Sequence, residues 1–383
     1  MGVVYACHDL TNDRAIALKT IKLEYLADRD IRNRFLREAA AWVKLGSHPH
    51  IVRCYGVEYL SPITFLVLEL IVTEEQHKNA SLCDWIMAPL PLEESLLYIM
   101  QIARGMHYAT ERLQGFVHRD LKPENILVGR DKLPGTNINR LRVTDFGLVY
   151  FLRDEVKKNL KPSEPTAIRH TQLTQSFVGT PLYMAPEQWS GKAIGIYTDI
   201  YALGCILVEM LTGQPAASGQ LIEELKIAHC KGDLLAIPRY LPKSVHDFTQ
   251  KCLAIRCEER YQNWKDVIST IENIQKELGL STIPDINFVN DPIEDQRQDA
   301  WSHNEIGRAY ANIGYDQIAI DFFTKAKDIF AKIDDTRGKI VTLGNLAGML
   351  SLHDPQTAIA YCKELINLGD KTGDDALAAC RSN

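Results

Sequence analysis

The 383-residue chain lacks the features that mark several large classes of protein. Its nine cysteines, an odd number scattered from Cys7 to Cys380, form no C-x-x-C pair. That argues against a disulfide framework or a zinc site, and for reduced thiols in the cytoplasm. Long apolar runs are missing too. The best candidate, Ile194 to Leu211, carries Asp199 and Glu209, short of the roughly 20 apolar residues a membrane helix needs. No charged N-terminal region precedes an apolar stretch, as a signal peptide would require. Ala6 stands where a myristoylation motif wants Ser or Thr, and the final Cys380-Arg-Ser-Asn lacks the aliphatic pair of a prenylation box. Nor is there an excess of positive charge. Forty-three Lys and Arg against 49 Asp and Glu give a net charge of −6, no footprint for nucleic acid or an anionic membrane. What remains is ordinary globular composition, 46% hydrophobic and 24% charged, long enough for two or three domains.

The first seventy residues read as strands around one helix. Val3–Cys7, Ala15–Lys22, Val52–Tyr59 and Phe65–Leu70 are short runs rich in Val, Ile, Leu and Tyr. Between them, Asp30 to Leu45 places Ile31, Phe35, Leu36, Ala39, Trp42 and Val43 on a helical stripe, which Gly46-Ser47-His48-Pro49 then stops. From Ser81 to Ile274 the pattern turns mostly helical, with Glu93–Leu113, Ile196–Leu211, Leu221–His229, Pro242–Leu253 and Asn263–Ile274 as the expected helices. Asp131 to Arg140, with Pro134-Gly135, reads as a lengthened hairpin loop between two short strands. Lys276 to Arg297 reads as a linker on its prolines and weak periodicity.

Residues 298–383 are again helical, and internally similar. Ile306-Gly307, Tyr310, Ala319, Phe323 and Ala326 fall at the offsets of the tetratricopeptide pattern, whose period is about 34 residues. A looser second copy runs through Leu346-Ala347, Leu350, Ala358 and Leu365. Asp334–Gly338 and Gly369–Gly373 read as repeated inter-unit turns, and the chain stops inside what would be a third unit. A generic helical hairpin is the alternative reading. A tetratricopeptide array would recruit a protein or peptide partner on its concave face.

The sharpest feature is Val117-His118-Arg119-Asp120-Leu121-Lys122-Pro123-Glu124-Asn125, followed by Asp145-Phe146-Gly147 and Ala185-Pro186-Glu187. With Ile16-Ala17-Leu18-Lys19 upstream, this ordered set resembles the protein kinase superfamily over about residues 2 to 275. The resemblance implies an α+β bilobal fold: an antiparallel-sheet N-lobe over 1–70 and a helical C-lobe over 71–275, followed by the all-α array. It also implies ATP and Mg²⁺ as cofactors. Asp120 would orient the substrate hydroxyl and accept its proton, and Lys122 would offer charge to the γ-phosphate. Asn125 and Asp145 would hold Mg²⁺, a hard cation that favours oxygen ligands. Lys19 would reach the α- and β-phosphates with Glu38 as its partner. Val4, Ala17 and Leu127 would sandwich adenine, Leu68 would be the gatekeeper, and Glu69 and Ile71 would offer hinge contacts. Asp199, anomalous in an apolar helix, would hold the catalytic loop, and Glu187 and Arg260 would form a buried ion pair. His118 is read as structural.

Lys122 and the stretch Gly179-Thr180-Pro181-Leu182-Tyr183-Met184 match the serine/threonine branch, and the wording of that stretch resembles bacterial kinases. Arg119 beside Asp120 suggests control by a phosphate on the activation segment, which spans 43 residues from Asp145 to Glu187. Thr174, Ser176 and then Thr171 are the candidate acceptors. One departure stands out. Of the glycine-rich G-x-G-x-x-G-x-V loop only Gly2 and Val4 are present, so the chain is expected to begin inside that loop, without the first strand. A fragment of a longer protein is the favoured explanation, and a natural short form with weakened nucleotide binding is the other. A membrane or sensor segment outside these residues stays open. The reading that follows is a Ser/Thr kinase acting on proteins. The alternatives are a catalytically weak scaffold whose repeats do the binding, and a small-molecule kinase, which Thr180 and the APE segment disfavour.

Overall fold

A computed structural model describes residues 2–10, 13–133, 136–146, 180–283, 292–351 and 353–372. In chain order the elements are β1 (Gly2–Asp9), β2 (Arg14–Ile21), α1 (Arg29–Leu45), β3 (Cys54–Leu60), β4 (Ile63–Glu69), α2 (Leu82–Trp85), α3 (Leu92–Arg112), β5 (Ile126–Lys132) and β6 (Asn139–Val143). Then follow α4 (Pro186–Trp189), α5 (Ile196–Thr212), α6 (Ile222–Lys231), α7 (Lys243–Cys252), α8 (Trp264–Glu277), α9 (Pro292–Asn312), α10 (Asp316–Lys332), α11 (Thr336–Leu350) and α12 (Pro355–Thr372). The chain forms two compact units, one from residues 1–47, 53–70 and 288–383, the other from 48–52 and 71–287. No helix among the described residues is long and apolar enough to cross a membrane.

In the first unit, β1-β2-β4-β3 form an antiparallel sheet. Helix α1 starts where the Asp28 carboxylate accepts from the Asp30 and Ile31 amides, and it ends at Gly46, whose φ of 69° suits glycine. Its predicted stripe is the buried one, with Phe35, Leu36, Ala39, Trp42 and Val43 all inside. Helices α9 to α12 pack each on the next in sequence. Ile306, Tyr310, Ala319, Phe323 and Ala326, read as repeat positions, are all buried. Gly307 lets Phe323 approach so closely that a Cβ at Gly307 would lie 2.7 Å from the ring.

Three boundaries differ from expectation. Pro292 opens α9, since its missing N–H costs nothing in a first turn, so the linker shortens to the residues between α8 and α9. Asp335 is the N-cap of α11, accepting from the Gly338 amide, so only Asp334 and Asp335 of that expected turn lie outside helix. Gly369 is accommodated inside α12, which runs on to Thr372.

The second unit is built on α5, buried from Thr198 to Leu211. Strands β5 and β6 form a hairpin that reaches further than predicted. Lys132 pairs with Asn139 because the Asn139 amide donates to the Gly129 carbonyl and the Glu74 carboxylate, while Asp131 takes up Arg140 and Arg142. The expected Asp131–Arg140 loop is thereby reduced to 133–138.

Candidate active site

The predicted site residues divide between the units. In the first unit the register decides their placement. Val4 lies opposite Lys19, Gly2 opposite Ile21, and Ala17 opposite Leu68. Paired residues share a face and side chains alternate, so Gly2, Val4, Ala17, Lys19 and Leu68 lie on one face of the sheet. Lys19 Nζ is 2.5 Å from Glu38 Oε1, with both side chains mostly buried, and 5.6 Å from the Trp42 ring centroid. Trp42 was read only as part of an apolar stripe; its distance from Lys19 carries no signal in sequence. The Glu69 N–H is donated to the Arg53 carbonyl over 2.8 Å, so any hinge contact from this residue falls to its carbonyl.

In the second unit the HRD segment is held from below. The fully buried Asp199 carboxylate accepts from the His118 amide at 2.7 Å and the Arg119 amide at 2.8 Å. Burial pushes the Asp199 carboxyl above its usual range, against the pull of His118 and of these amides. Arg119 is thereby fixed at φ 68°, a left-handed conformation that costs a non-glycine residue on the order of 1 kcal/mol and needs such support. Asp145 is left-handed too, at φ 65°. His118 Nε2 lies 3.0 Å from the Thr144 carbonyl and the ring packs edge-on to Phe146.

The Asn125 amide donates to the Asp120 carbonyl at 2.7 Å and to Asp120 Oδ2 at 3.1 Å; Lys122 Nζ stands 2.8 Å from the same oxygen. Asp120 Oδ1 is buried and has no hydrogen-bond partner among the described residues. The Thr144 amide donates to the Asn125 carbonyl at 2.9 Å, which ties Asn125 to the segment carrying Asp145. Leu127 is half-buried on β5 between the buried Ile126 and Val128. Arg260 grips Glu187 through both guanidinium nitrogens at 2.8 and 3.0 Å, both side chains being essentially inaccessible.

Two residues of this network escaped the sequence reading. Thr198 donates to Glu187 at 2.7 Å, and Gln188 donates to the Arg119 carbonyl at 3.1 Å, joining the APE segment to the HRD loop. Gln188 sits beside Glu187 in sequence, the one signal that could have singled it out. Thr171, Thr174 and Ser176 lie outside the described residues, as does the Thr180 side chain.

The donor set suits a hard divalent cation. The Asn125 amide nitrogen is committed to Asp120, which turns its carbonyl oxygen the other way, and Asp145 supplies a carboxylate one residue from the Thr144 link. Oxygen donors with no thiolate or imidazole fit Mg²⁺ better than zinc.

The family model for the protein kinase domain matches residues 1–271. The chain belongs to the protein kinase family. It is 31% identical over 295 residues to serine/threonine-protein kinase PknD of Protochlamydia amoebophila, covering 71% of this chain and 28% of that protein. To PrkC of Bacillus subtilis it is 30% identical over 277 residues, covering 71% of this chain and 38% of that one. PkaA of Streptomyces coelicolor matches at 31% over 245 residues, 64% of this chain and 40% of that kinase. The kinase domain is thus of the bacterial serine/threonine type. The chain spans well under half the length of these curated relatives.

Proposed function

We propose that this chain transfers the γ-phosphoryl group of Mg-ATP to serine and threonine hydroxyls of protein substrates. One observation carries the reading: a carboxylate with one oxygen fixed by Asn125 and Lys122 and the other buried with no partner among the described residues. Unsatisfied buried oxygens are costly, so Asp120 Oδ1 is set to accept a proton from an incoming hydroxyl. Lys122 then neutralises charge beside it, and Lys19 does so for the triphosphate, held in place by Glu38. Asn125 and Asp145 would hold Mg²⁺, which when bound would supply positive charge against the phosphates. Leu68, Ala17, Val4 and Leu127 offer apolar contact to adenine, with backbone groups of Glu69 and Ile71 at its edge.

Activity would be set by phosphate on Thr174, Ser176 or Thr171, paired with Arg119, and the tetratricopeptide-like helices would recruit a protein partner in the cytoplasm. The test is incubation of the chain with labelled ATP, Mg²⁺ and a generic basic protein substrate, followed by phosphoamino-acid analysis. Label on Ser and Thr is expected. Label on Tyr alone, or none above an Asp120→Asn control, overturns the reading. Mass spectrometry of residues 171–180 tests the regulatory part.

A further inference from the structure

Helix α1 is gripped on a second side by the chain's own C-terminal helices. Its residues Arg29, Asn33 and Arg37 are four apart and form one stripe. All three meet the segment joining α9 to α10 or the end of α9. Arg29 Nη2 donates to the Gly314 carbonyl at 3.3 Å, and its guanidinium stacks 4.4 Å over the Tyr315 ring. The Asn33 amide donates to the Tyr315 hydroxyl at 3.3 Å. Arg37 bonds the hydroxyl of the buried Tyr310. Alongside, Phe35 and Leu36 of α1 line a small cavity with Ala309 and Ile313 of the α9 end. Helix α9 also lies on β3, where Ser302 Oγ approaches Gly56 so closely that a Cβ there would stand 3.0 Å away.

Glu38 follows Arg37 directly. About 100° of helix rotation separates the two, so α1 presents one stripe to the C-terminal helices and the adjacent one to Lys19. A charge-assisted bond of that length tolerates little displacement, and a misplacement of about 1 Å in a phosphate-binding group costs on the order of a hundredfold in rate.

We infer that Tyr315, supported by Tyr310, is a positioning residue for catalysis: the α9–α10 hairpin clamps α1 so that Glu38 holds Lys19. This rests on the phosphotransferase reading above, and it adds that the kinase domain depends on helices beyond the matched family region. Those helices are part of the catalytic apparatus as well as a candidate partner surface. A ligand that shifted the hairpin would shift Glu38 with it.

The test uses the full chain and two readouts. Tyr315→Ala should lower kcat/KM for ATP at least tenfold, with KM raised more than kcat is lowered, and Tyr315→Phe, which keeps the ring under Arg29, should lose less. Backbone amides of residues 31–45 should exchange at least tenfold faster in Tyr315→Ala, with those of α3 and α5 unchanged. The matching change from the other side, Arg29→Ala with Asn33→Ala, guards against misfolding of the hairpin. It should give a similar loss, and all three substitutions together should lose no more than about twice the larger effect, because one contact is being removed either way. Unchanged exchange in α1, or losses that multiply independently, overturns the clamp. A wild-type chain with no turnover sinks the phosphotransferase reading instead, and the exchange comparison still decides the clamp in that same protein.

Discussion

Glu38 in the first unit and Asp120 in the second are both candidate site carboxylates, and they are held by different means. Asp120 sits in a loop fixed by short-range and buried polar bonds: Asn125, Lys122, the Asp199 bracket under His118 and Arg119, and the Gln188 link to the APE segment. Glu38 is on a helix held by its buried apolar face and by long, exposed or half-buried hydrogen bonds to residues some 280 positions later in the chain. A polar bracket is satisfied or broken, whereas a packed helix can slide by fractions of an ångström. The first arrangement suits the group that must meet the hydroxyl in one geometry. The second suits a group whose position can be regulated.

Four experiments bear on that contrast. Asp120→Asn keeps the size and most of the polar bonds, so turnover should fall by about 10²–10⁴-fold with the thermal midpoint unchanged; a comparable fall in the midpoint would mean the loop is a stability element first. Arg260→Met strands the Glu187 carboxylate in a site with no solvent, at a cost of about 3–5 kcal/mol read by urea unfolding. A change below about 1 kcal/mol would show that the bracket is not the rigid part. Gly307→Ala drives a methyl into the Phe323 ring and should cost about 1–3 kcal/mol, with the loss confined to the first unit and seen as faster exchange in α9 and α10.

The smallest effect is acid sensitivity, which should separate the units. Burial holds His50 at about 3 and His229 at about 4, and with neighbouring charges holds His48 at about 4, all in the second unit. Each folded value lies below the unfolded one near 6.5, so the unfolded chain takes up protons first as pH falls. The stability is present above pH 6.5 and lost on the way down towards pH 4. On the order of 1 kcal/mol should go between pH 7 and 6, seen as faster amide exchange in α3 and α6 before β1–β4. Equal sensitivity in both units would erase the distinction.

Most of the site was legible because its chemistry is written in contiguous words. HRDLKPEN and APE fix residue types whose partners are a few positions away, and Asp199 betrayed itself as a carboxylate in an apolar helix. The strands were legible as runs of Val, Ile, Leu and Tyr, but their order and register were not. What could not be read was set by distant partners. Arg29, Asn33 and Arg37 have the spacing of an ordinary solvated helix face, and nothing in them announces Tyr315 or Tyr310. The same holds for Thr198 under Glu187. Pro292 misled for a simpler reason: proline ends a helix from within but begins one without cost, and sequence alone leaves the two open.

One consequence concerns the order in which the molecule can be made. The first unit takes its sheet and α1 from the start of the chain and α9–α12 from residue 292 onward, with residues 71–287 belonging to the other unit. A ribosome adding 5–20 residues per second therefore delivers the strands and α1 roughly ten to forty seconds before the helices that complete their unit. For that interval the nascent sheet and α1 would lack the α9–α10 contacts, while the second unit already has its whole sequence. Under the clamp inferred here, phosphoryl transfer would stay slow until synthesis has passed Tyr315, so a nascent chain would act little on its neighbours before its own C-terminal helices exist.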